Sequence, residues 1–245
     1  MPSSSTPRGS NEGMWSVLAA SYGMRVLAID PQQLCLDLLN VAVKENGLSH
    51  VQAHLNILAP NPRNALMVPT DQCHGTSLFA FDGRSGSVSD ATMPGRALVK
   101  SPERVLAKRV AVQAVRLDTL VAAERVVEMW HLDVEGAELQ VLASAARLFE
   151  AGRIRRVMLE FIPFRWSSHG YGGVNGVERG LQEAQALLAG WDCRIVCPQR
   201  RQHHGIAFNF SRETLEAHMW IKRGKTVCEN LYCVAPGVQP HAPWR

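Results

Sequence analysis

Residues 129–142, MWHLDVEGAELQVL, limit the possible folds more than any other stretch of the chain. An apolar run that suits a buried strand passes directly into a helix-like run, and acidic residues stand at the junction. In open parallel sheets, ligands bind beyond the carboxyl ends of the strands, and acids there need solvent, hydrogen bonds or a partner. We therefore expect Asp133 and Glu135 to project into a binding crevice. Glu138 is interpreted as a helix-start residue that satisfies free backbone amides.

Strand-like and helix-like segments alternate along the chain. The run MRVLAID, residues 24–30, suits a buried parallel strand, and a helix is expected from Pro31 to about Glu45. The run VAVQAVRL, residues 110–117, alternates like an exposed-edge strand, and RRVMLEFI, residues 155–162, suits another buried strand. This order predicts an α/β domain with a mainly parallel sheet flanked by helices.

Helical spacing also predicts the apolar side of each of the first two helices. In the first helix, Trp15, Leu18, Ala19 and Tyr22 share one side. In the second helix, the corresponding set is Leu34, Leu38, Val41 and Ala42.

Composition places the chain among ordinary globular proteins. It has 245 residues, 46% hydrophobic residues and a net charge of +4, and no apolar run reaches membrane-spanning length. Basic runs at residues 153–156, 199–204 and 221–225 are short, dispersed and mostly without interleaved aromatic residues. They are interpreted as solvated surface, so we expect no nucleic-acid partner and no membrane span.

The six cysteines form no CxxC pair. We interpret them as small core residues in a reducing compartment, in preference to disulfide or zinc use. The opening MPSSSTPRGS lacks the apolar core of a secretory signal, so the expected location is cytoplasmic.

A second acid occupies a position equivalent to that of Asp133. Asp30 closes the strand-like run MRVLAID, about 20 residues after the glycine-containing loop GSNEG. In nucleotide-type folds, an acid at the end of the second strand accepts hydrogen bonds from ribose hydroxyls. The loop is not GxGxxG, and an NAD-type oxidoreductase would leave DVEG unexplained.

Several ordered segments resemble the FkbM-type S-adenosylmethionine-dependent methyltransferases. GSNEGMWSVLAA resembles the family's glycine loop and first helix, and GMRVLAIDP resembles its second strand with the acid and proline. VRLDTL resembles the segment upstream of the signature, HLDVEGAELQVL resembles the signature itself, and RRVMLEF resembles the next strand with its acid, Glu160. The resemblance covers roughly residues 9 to 165.

This resemblance implies a Rossmann-like class I methyltransferase fold that transfers a methyl group from S-adenosylmethionine. The acceptor would be a hydroxyl on a sugar or another small molecule, such as a glycan. The implied cofactor-binding residues are Gly9, Ser10, Asn11, Gly13, Asp30, Asn56 and Asp133. The candidates for the base that removes the hydroxyl proton are His131, Asp133 and Glu135.

One feature departs from the family pattern. The residues before Gly9 carry two prolines and no β-branched apolar residue, so the family's first central strand is apparently missing. We expect a disordered tail over residues 1–8, a methyltransferase domain over 9–235 with an irregular insertion at 59–103, and a C-terminal tail over 236–245. The alternative is a truncated or degenerate, non-catalytic member that acts as a binding or scaffold protein.

Two further groups of residues could form functional sites. Asp133, Glu135, Glu160 and His131 could converge as an oxygen-rich magnesium site, but we interpret them as hydrogen-bonded groups at strand ends and expect no metal. The loop RWSSHGYGG could close over an acceptor, with Trp166, His169 and Tyr171 as recognition groups.

Overall fold

The computed structural model describes residues 13–68, 73, 77–79, 110–134, 136–163, 165–166, 175–221, 225–226 and 228–239. The chain divides into two compact units, Met1–Arg116 and Leu117–Arg245. Both units combine helices with strands, so the fold class is α/β, as predicted. Within the described ranges, no helix is long and apolar enough to cross a membrane.

The first unit begins with helices and parallel strands in alternation. Its elements are α1 (Met14–Ser21), β1 (Val26–Asp30), α2 (Gln33–Glu45), β2 (Val51–Leu55), β3 (Ile57–Leu58), β4 (Arg63–Val68), β5 (Ser77–Phe79) and β6 (Val110–Val115). β1 pairs with β2 in parallel. The other strands form a sheet in the order β3-β6-β4-β5, in which β3 and β6 are parallel and β4 is antiparallel to both neighbours.

The strand β6 corrects one prediction. It alternates as expected, with Val112 and Ala114 buried, but it lies between β3 and β4 and is not an edge strand. Strand alternation reports only that one side is covered, and both an edge strand and an inner strand of a half-covered sheet give that pattern.

The predicted packing sides of α1 and α2 are also wrong. In α1 the buried residues are Ser16 and Ala20, whereas Tyr22 is 80% exposed. In α2 the buried residues are Cys35, Leu36 and Leu39. Of the predicted set, Leu34, Leu38 and Val41 are exposed and Ala42 is half-buried. Because α2 has apolar residues on most of its circumference, helical spacing alone does not distinguish its inner side.

Close packing between the start of α1 and α2 explains the observed orientation. Gly13 precedes α1 with φ +74°, and a Cβ atom there would lie 2.6 Å from the Cδ1 atom of Leu39. Only glycine satisfies both the left-handed backbone and this contact. Gly13 therefore has a packing role in addition to any role in cofactor binding.

The second unit contains the signature segment. Its elements are α3 (Leu117–Leu120), β7 (Trp130–Leu132), α4 (Glu138–Ala143), α5 (Ala146–Glu150), β8 (Arg156–Glu160), α6 (Gly176–Leu187), β9 (Asp192–Val196), α7 (Arg212–Thr214) running into a π-helix (Leu215–Met219), β10 (Trp220–Ile221), β11 (Lys225–Thr226) and β12 (Asn230–Val234). The main sheet has the order β7-β8-β12-β9.

This topology corrects the prediction of a mainly parallel sheet. The described strands form four separate sheets with mixed pairings. In the second unit β7 and β8 are parallel, but β12 is antiparallel to β8 and β9. The parallel pair β7–β8 is connected through α4 and α5, as a parallel pair needs a crossover connection. β8 and β9 run in the same direction but are not paired, because the antiparallel β12 lies between them.

The two faces of this sheet differ in chemistry. On one face, the paired residues are apolar and almost fully buried: Trp130, Leu132, Val157, Leu159, Leu231, Cys233, Cys193 and Ile195. The other face is mixed: polar side chains stand beside Met158, Val196 and Val234, and they are His131, Arg156, Glu160, Asn230, Tyr232, Arg194 and Asp192. Adjacent strands align side chains of the same face, so the polar groups on this face can build a site.

The prediction of reduced cysteines is wrong. All six cysteines, each in the described part of the chain, form disulfides: Cys35–Cys73, Cys193–Cys233 and Cys197–Cys228. The cysteines are buried, as expected for core residues, but sequence spacing did not reveal that they meet in pairs. Cys193 faces Cys233 directly in the β9–β12 ladder.

Candidate active site

Two acidic side chains meet at the carboxyl ends of β7 and β8. The last parallel pair is Leu132 with Leu159, so Asp133 and Glu160 follow side by side. Their carboxyl groups are hydrogen-bonded to each other. Asp133 is half-buried, whereas Glu160 is only 7% exposed. The predicted crevice acid therefore has a buried partner from the neighbouring strand.

The pair holds a proton on Glu160. Burial raises the pKa of Glu160 to about 9, and the negative charges of Asp133, Glu229 and Glu138 add to this shift. Two adjacent carboxyl groups share a proton because both do not readily ionise together, and the more buried one retains it. Neutral Glu160 therefore donates its proton in the hydrogen bond to Asp133.

Glu138 fixes the turn between β7 and α4. Its carboxylate accepts hydrogen bonds from the Gly136 backbone N–H at 2.7 Å and from the Trp166 Nε1–H at 2.8 Å. The side chain is fully buried, which raises the pKa of Glu138 to about 7 although both hydrogen bonds oppose that shift. The predicted role at the helix start is thus present, and it is joined by a contact with Trp166.

Trp166 is a core residue, which corrects its predicted role in acceptor recognition. It has no exposed surface, and its ring meets Phe161 edge-on at a centroid distance of 5.0 Å. Gly180 of α6 lies against it, because a Cβ atom at Gly180 would be 2.3 Å from the indole Cε3. Trp166 thereby anchors the segment after β8 to the signature turn.

His131 lies in the middle of β7, beside Met158 of β8. Burial lowers the pKa of His131 to about 4, so the imidazole is neutral near pH 7. A neutral imidazole with so low a pKa is a weak proton acceptor. His131 remains a predicted base, with less support than Asp133.

In the first unit, Asp30 ends β1 as predicted. It is buried, and its Oδ1 accepts a hydrogen bond from the Gln32 backbone N–H at 2.8 Å, which closes the turn into α2. A carboxylate has acceptor sites for several hydrogen bonds, so this contact is compatible with binding ribose hydroxyls. Asn56, between β2 and β3, donates from Nδ2 to the Gln113 carbonyl of β6 at 3.2 Å.

Other predicted residues lie outside the described part of the chain. These are Gly9, Ser10, Asn11, Glu135, His169 and Tyr171. Residues 1–12, where the first central strand was expected to be missing, lie there too. Where side chains are described, no group of three or more His, Cys, Asp or Glu residues could hold a metal ion.

Sequence reasoning underrated Glu160 and the pairing of Glu138 with Trp166. The sequence identifies Glu160 as the acid of its strand and as a possible magnesium ligand, but not as the partner of Asp133, although it closes an apolar run just as Asp133 does. That shared pattern was the available signal. No local pattern connects Glu138 with Trp166, because the two residues are 28 positions apart.

The fold and this acid pair place the chain among α/β proteins that carry polar groups at the carboxyl ends of parallel strands. Ligand-binding α/β proteins have their binding sites at this position. A family model described as the methyltransferase FkbM domain matches residues 8–183, well over half of the 245 residues. The chain belongs to this family. No curated protein matches the chain.

Solved structures resemble the chain only distantly. The methyltransferase FkbM from Methylobacillus flagellatus KT is 11% identical, with a TM-score of 0.46 over 92% of this chain and 42% of that one. The bifunctional kinase-methyltransferase WbdD is 13% identical, with a TM-score of 0.41 over 93% of this chain and 33% of that one. The chain therefore spans less than half the length of these proteins.

Proposed function

We propose that the chain is an S-adenosylmethionine-dependent methyltransferase that methylates a hydroxyl on a sugar or another small molecule. Family membership supports methyl transfer. The observation that carries the proposal is the hydrogen-bonded pair of Asp133 and Glu160 at the ends of adjacent parallel strands. Transfer to a hydroxyl needs a positioned proton acceptor, and Asp133 has a suitable position and partner.

The same proposal includes a Rossmann-like arrangement. β1 and β2 form a parallel pair that ends in Asp30, and β7 and β8 form a parallel pair that ends at Asp133 and Glu160. Acids beyond the carboxyl ends of parallel strands are characteristic of ligand crevices in such folds.

The described residues fit the implied cofactor. Asp30 would accept hydrogen bonds from the ribose hydroxyls, Gly13 belongs to the loop expected near the methionine part, and Asn56 is assigned near the adenine. When bound, S-adenosylmethionine supplies a methyl group on a positively charged sulfur and departs as a neutral thioether. The buried Asp30 carboxylate offers the acceptor chemistry that a diol requires.

Asp133 is assigned as the general base. It lies beside neutral Glu160, whose hydrogen bond orients its carboxylate, and it is more exposed than Glu160. It would accept the proton of the acceptor hydroxyl. Glu138 supports this role by fixing the turn that follows Asp133 through the Gly136 amide.

Calorimetric titration of the chain with S-adenosylmethionine tests the cofactor assignment. Asp30→Ala removes hydrogen bonds to a charged acceptor, so we expect the dissociation constant to rise by about 10- to 100-fold. Asp37→Ala is the matched control, because Asp37 is exposed on α2 and bonds only locally to Gln33. Absence of binding by a folded wild-type chain, or equal binding by the Asp30 variant, would contradict the assignment.

Turnover tests the base. With a labelled methyl donor and a panel of methyl glycosides, we expect Asp133→Asn to lower the rate by about 10²- to 10⁴-fold while cofactor binding persists. His131→Gln should have a much smaller effect, because a pKa of about 4 makes the His131 imidazole a weak proton acceptor. A chain that binds cofactor but methylates no acceptor in any variant would favour the non-catalytic alternative.

A further inference from the structure

Two histidine side chains from separate segments meet in the second unit. His203 lies in the turn of residues 201–205 that follows β9, and His218 lies in the π-helix Leu215–Met219. Their Nδ1 atoms are 3.3 Å apart, and their ring centroids are 5.6 Å apart. Both residues are half-buried. The fold thus brings together two ring nitrogens from residues that are 15 positions apart in the chain.

The distance between the two Nδ1 atoms matches the spacing of two zinc ligands. At 3.3 Å it lies at the long end of the range for hydrogen bonds. Zinc binds imidazole nitrogens at about 2.0–2.1 Å with tetrahedral geometry, so two nitrogens on one zinc ion lie about 3.3–3.4 Å apart. A zinc ion could therefore replace the proton between the two rings without separating them.

The segment that carries His218 has an unusual backbone. π-Helical turns are rare and occur frequently at functional sites. This one is held from the inside by Leu215 and Met219, each 1% exposed. The helical turn before it is capped, because the Ser211 Oγ accepts a hydrogen bond from the Thr214 backbone N–H at 3.1 Å. His218 is thus presented by a fixed backbone.

The turn that carries His203 is also fixed. The His203 backbone N–H donates to the Arg200 carbonyl at 2.9 Å. The next residue, His204, accepts a hydrogen bond at Nδ1 from the Cys197 backbone N–H at 3.0 Å, and Cys197 forms a disulfide with Cys228. Metal sites need ligands that are held in place by the surrounding structure, and both imidazoles meet this condition.

The ligand chemistry selects the class of metal ion. Imidazole suits zinc and the neighbouring transition metals, whereas magnesium and calcium prefer oxygen ligands. Arg200 and Arg201 are exposed, so water and salt screen their charge from a bound cation. Zinc is therefore favoured over the harder cations.

We propose that His203 and His218 bind one Zn²⁺ ion through their Nδ1 atoms, with water in the remaining positions, and that the ion joins the 201–205 turn to the π-helix. The imidazole that donates Nδ1–H in the pair moves this proton to its Nε2 atom, so both rings stay neutral and each offers a lone pair. The site shares no residue with the proposed active site and does not depend on the proposed function.

Calorimetric titration of the oxidised chain with zinc chloride tests the site. Loss of an outer partner of a metal ligand costs about 10- to 100-fold in affinity, so loss of a ligand should cost at least about tenfold. We expect that weakening in His203→Gln and in His218→Gln. His204→Gln is the matched control and should bind zinc as wild type does, because the His204 Nδ1 already accepts from Cys197. Magnesium chloride should give no binding.

Two further measurements separate metal binding from a folding defect. Zinc should raise the melting temperature of wild type and His204→Gln but not that of His203→Gln or His218→Gln. In wild type alone, long-range ¹H–¹⁵N NMR should show zinc at the Nδ1 atoms of two histidine rings. No zinc binding by folded wild type would leave a hydrogen-bonded pair only and overturn the proposal. Equal binding by either ligand variant, a matching loss in His204→Gln, or zinc at other ring nitrogens would also overturn it.

Discussion

Three residues with pKa values shifted by burial make the stability of the second unit depend on pH. Glu138 and Glu160 have pKa values raised to about 7 and about 9, each mainly by burial. Between the unfolded value and these folded values, the folded chain holds protons that the unfolded chain has released, so stability falls as pH rises. His131 has the opposite effect, because burial lowers its pKa to about 4. Its contribution to the unfolding free energy is lost as pH falls from 6.5 towards 4.

Glu138→Gln should weaken this pH dependence. Glutamine must turn its N–H₂ group towards one of the two donors, Gly136 N–H or Trp166 Nε1–H, whereas the hydroxyl oxygen of protonated Glu138 can still accept, so the variant is less stable at pH 5. Wild type loses the extra stabilisation between pH 4.5 and 7, so the gap in unfolding free energy should shrink by about 3 kcal/mol by pH 8. Urea unfolding from pH 5 to 8 measures it. Glu150→Gln, at an exposed site, should give a curve parallel to wild type.

Gly180→Ala tests the packing of Trp166. In an ordinary helix this change stabilises by about 1 kcal/mol. Here the new Cβ atom would lie 2.3 Å from an indole that has no exposed surface, so we expect a net loss of about 1–3 kcal/mol by urea unfolding. Gln182→Ala, exposed on the same helix, should be neutral or stabilising. A stabilised Gly180 variant would show that Trp166 is not held as described.

At the level of elements, α2 shows the limit of periodicity. On its buried side, Leu39 packs against Gly13 and Cys35 is bonded to Cys73, so both contacts are with residues outside the helix. Helices that are apolar on most sides carry little information on orientation, and packing partners then decide.

Leu39→Ala and Leu38→Ala form a matched pair for this orientation. The side chains are identical and adjacent, but Leu39 is 3% exposed and Leu38 is 45% exposed. We expect Leu39→Ala to cost about 2–5 kcal/mol and Leu38→Ala under about 1 kcal/mol, measured by urea unfolding. The reverse order would support the side that helical spacing predicts.

For the whole molecule, the disulfides change the expected redox setting. Each disulfide lies within one unit: Cys35–Cys73 is in the first, and the other two are in the second, where they join the region of β9 to that of β12. Disulfides persist in oxidising compartments and are rare in the cytosol. The cytoplasmic location predicted from the sequence therefore loses the support of reduced thiols.

Thiol alkylation followed by mass spectrometry tests this covalent state. The denatured, unreduced chain should take up no alkylating reagent, and the reduced chain should be labelled at all six cysteines. Because each cross-link restricts the unfolded chain, reduction should lower the unfolding free energy by about 2–4 kcal/mol per bond. Labelling of the unreduced chain, or unchanged stability on reduction, would contradict the pairing.

The sequence by itself determined the local features. It located β1 with Asp30, β7 with Asp133, the turn at Gly136 and the helix start at Glu138, because strand and helix periodicities and strand-end acids are properties of short segments. The family signature lies in one such segment, so the resemblance was visible without a structure.

Only the tertiary structure decided how these segments meet. The register of β7 against β8 makes Glu160 the partner of Asp133, and packing against α6 brings Trp166 to Glu138. The same holds for the antiparallel entry of β12 and the pairing of the cysteines. These features depend on contacts between residues far apart in the chain, and the burial they create is what shifts the pKa values of the site.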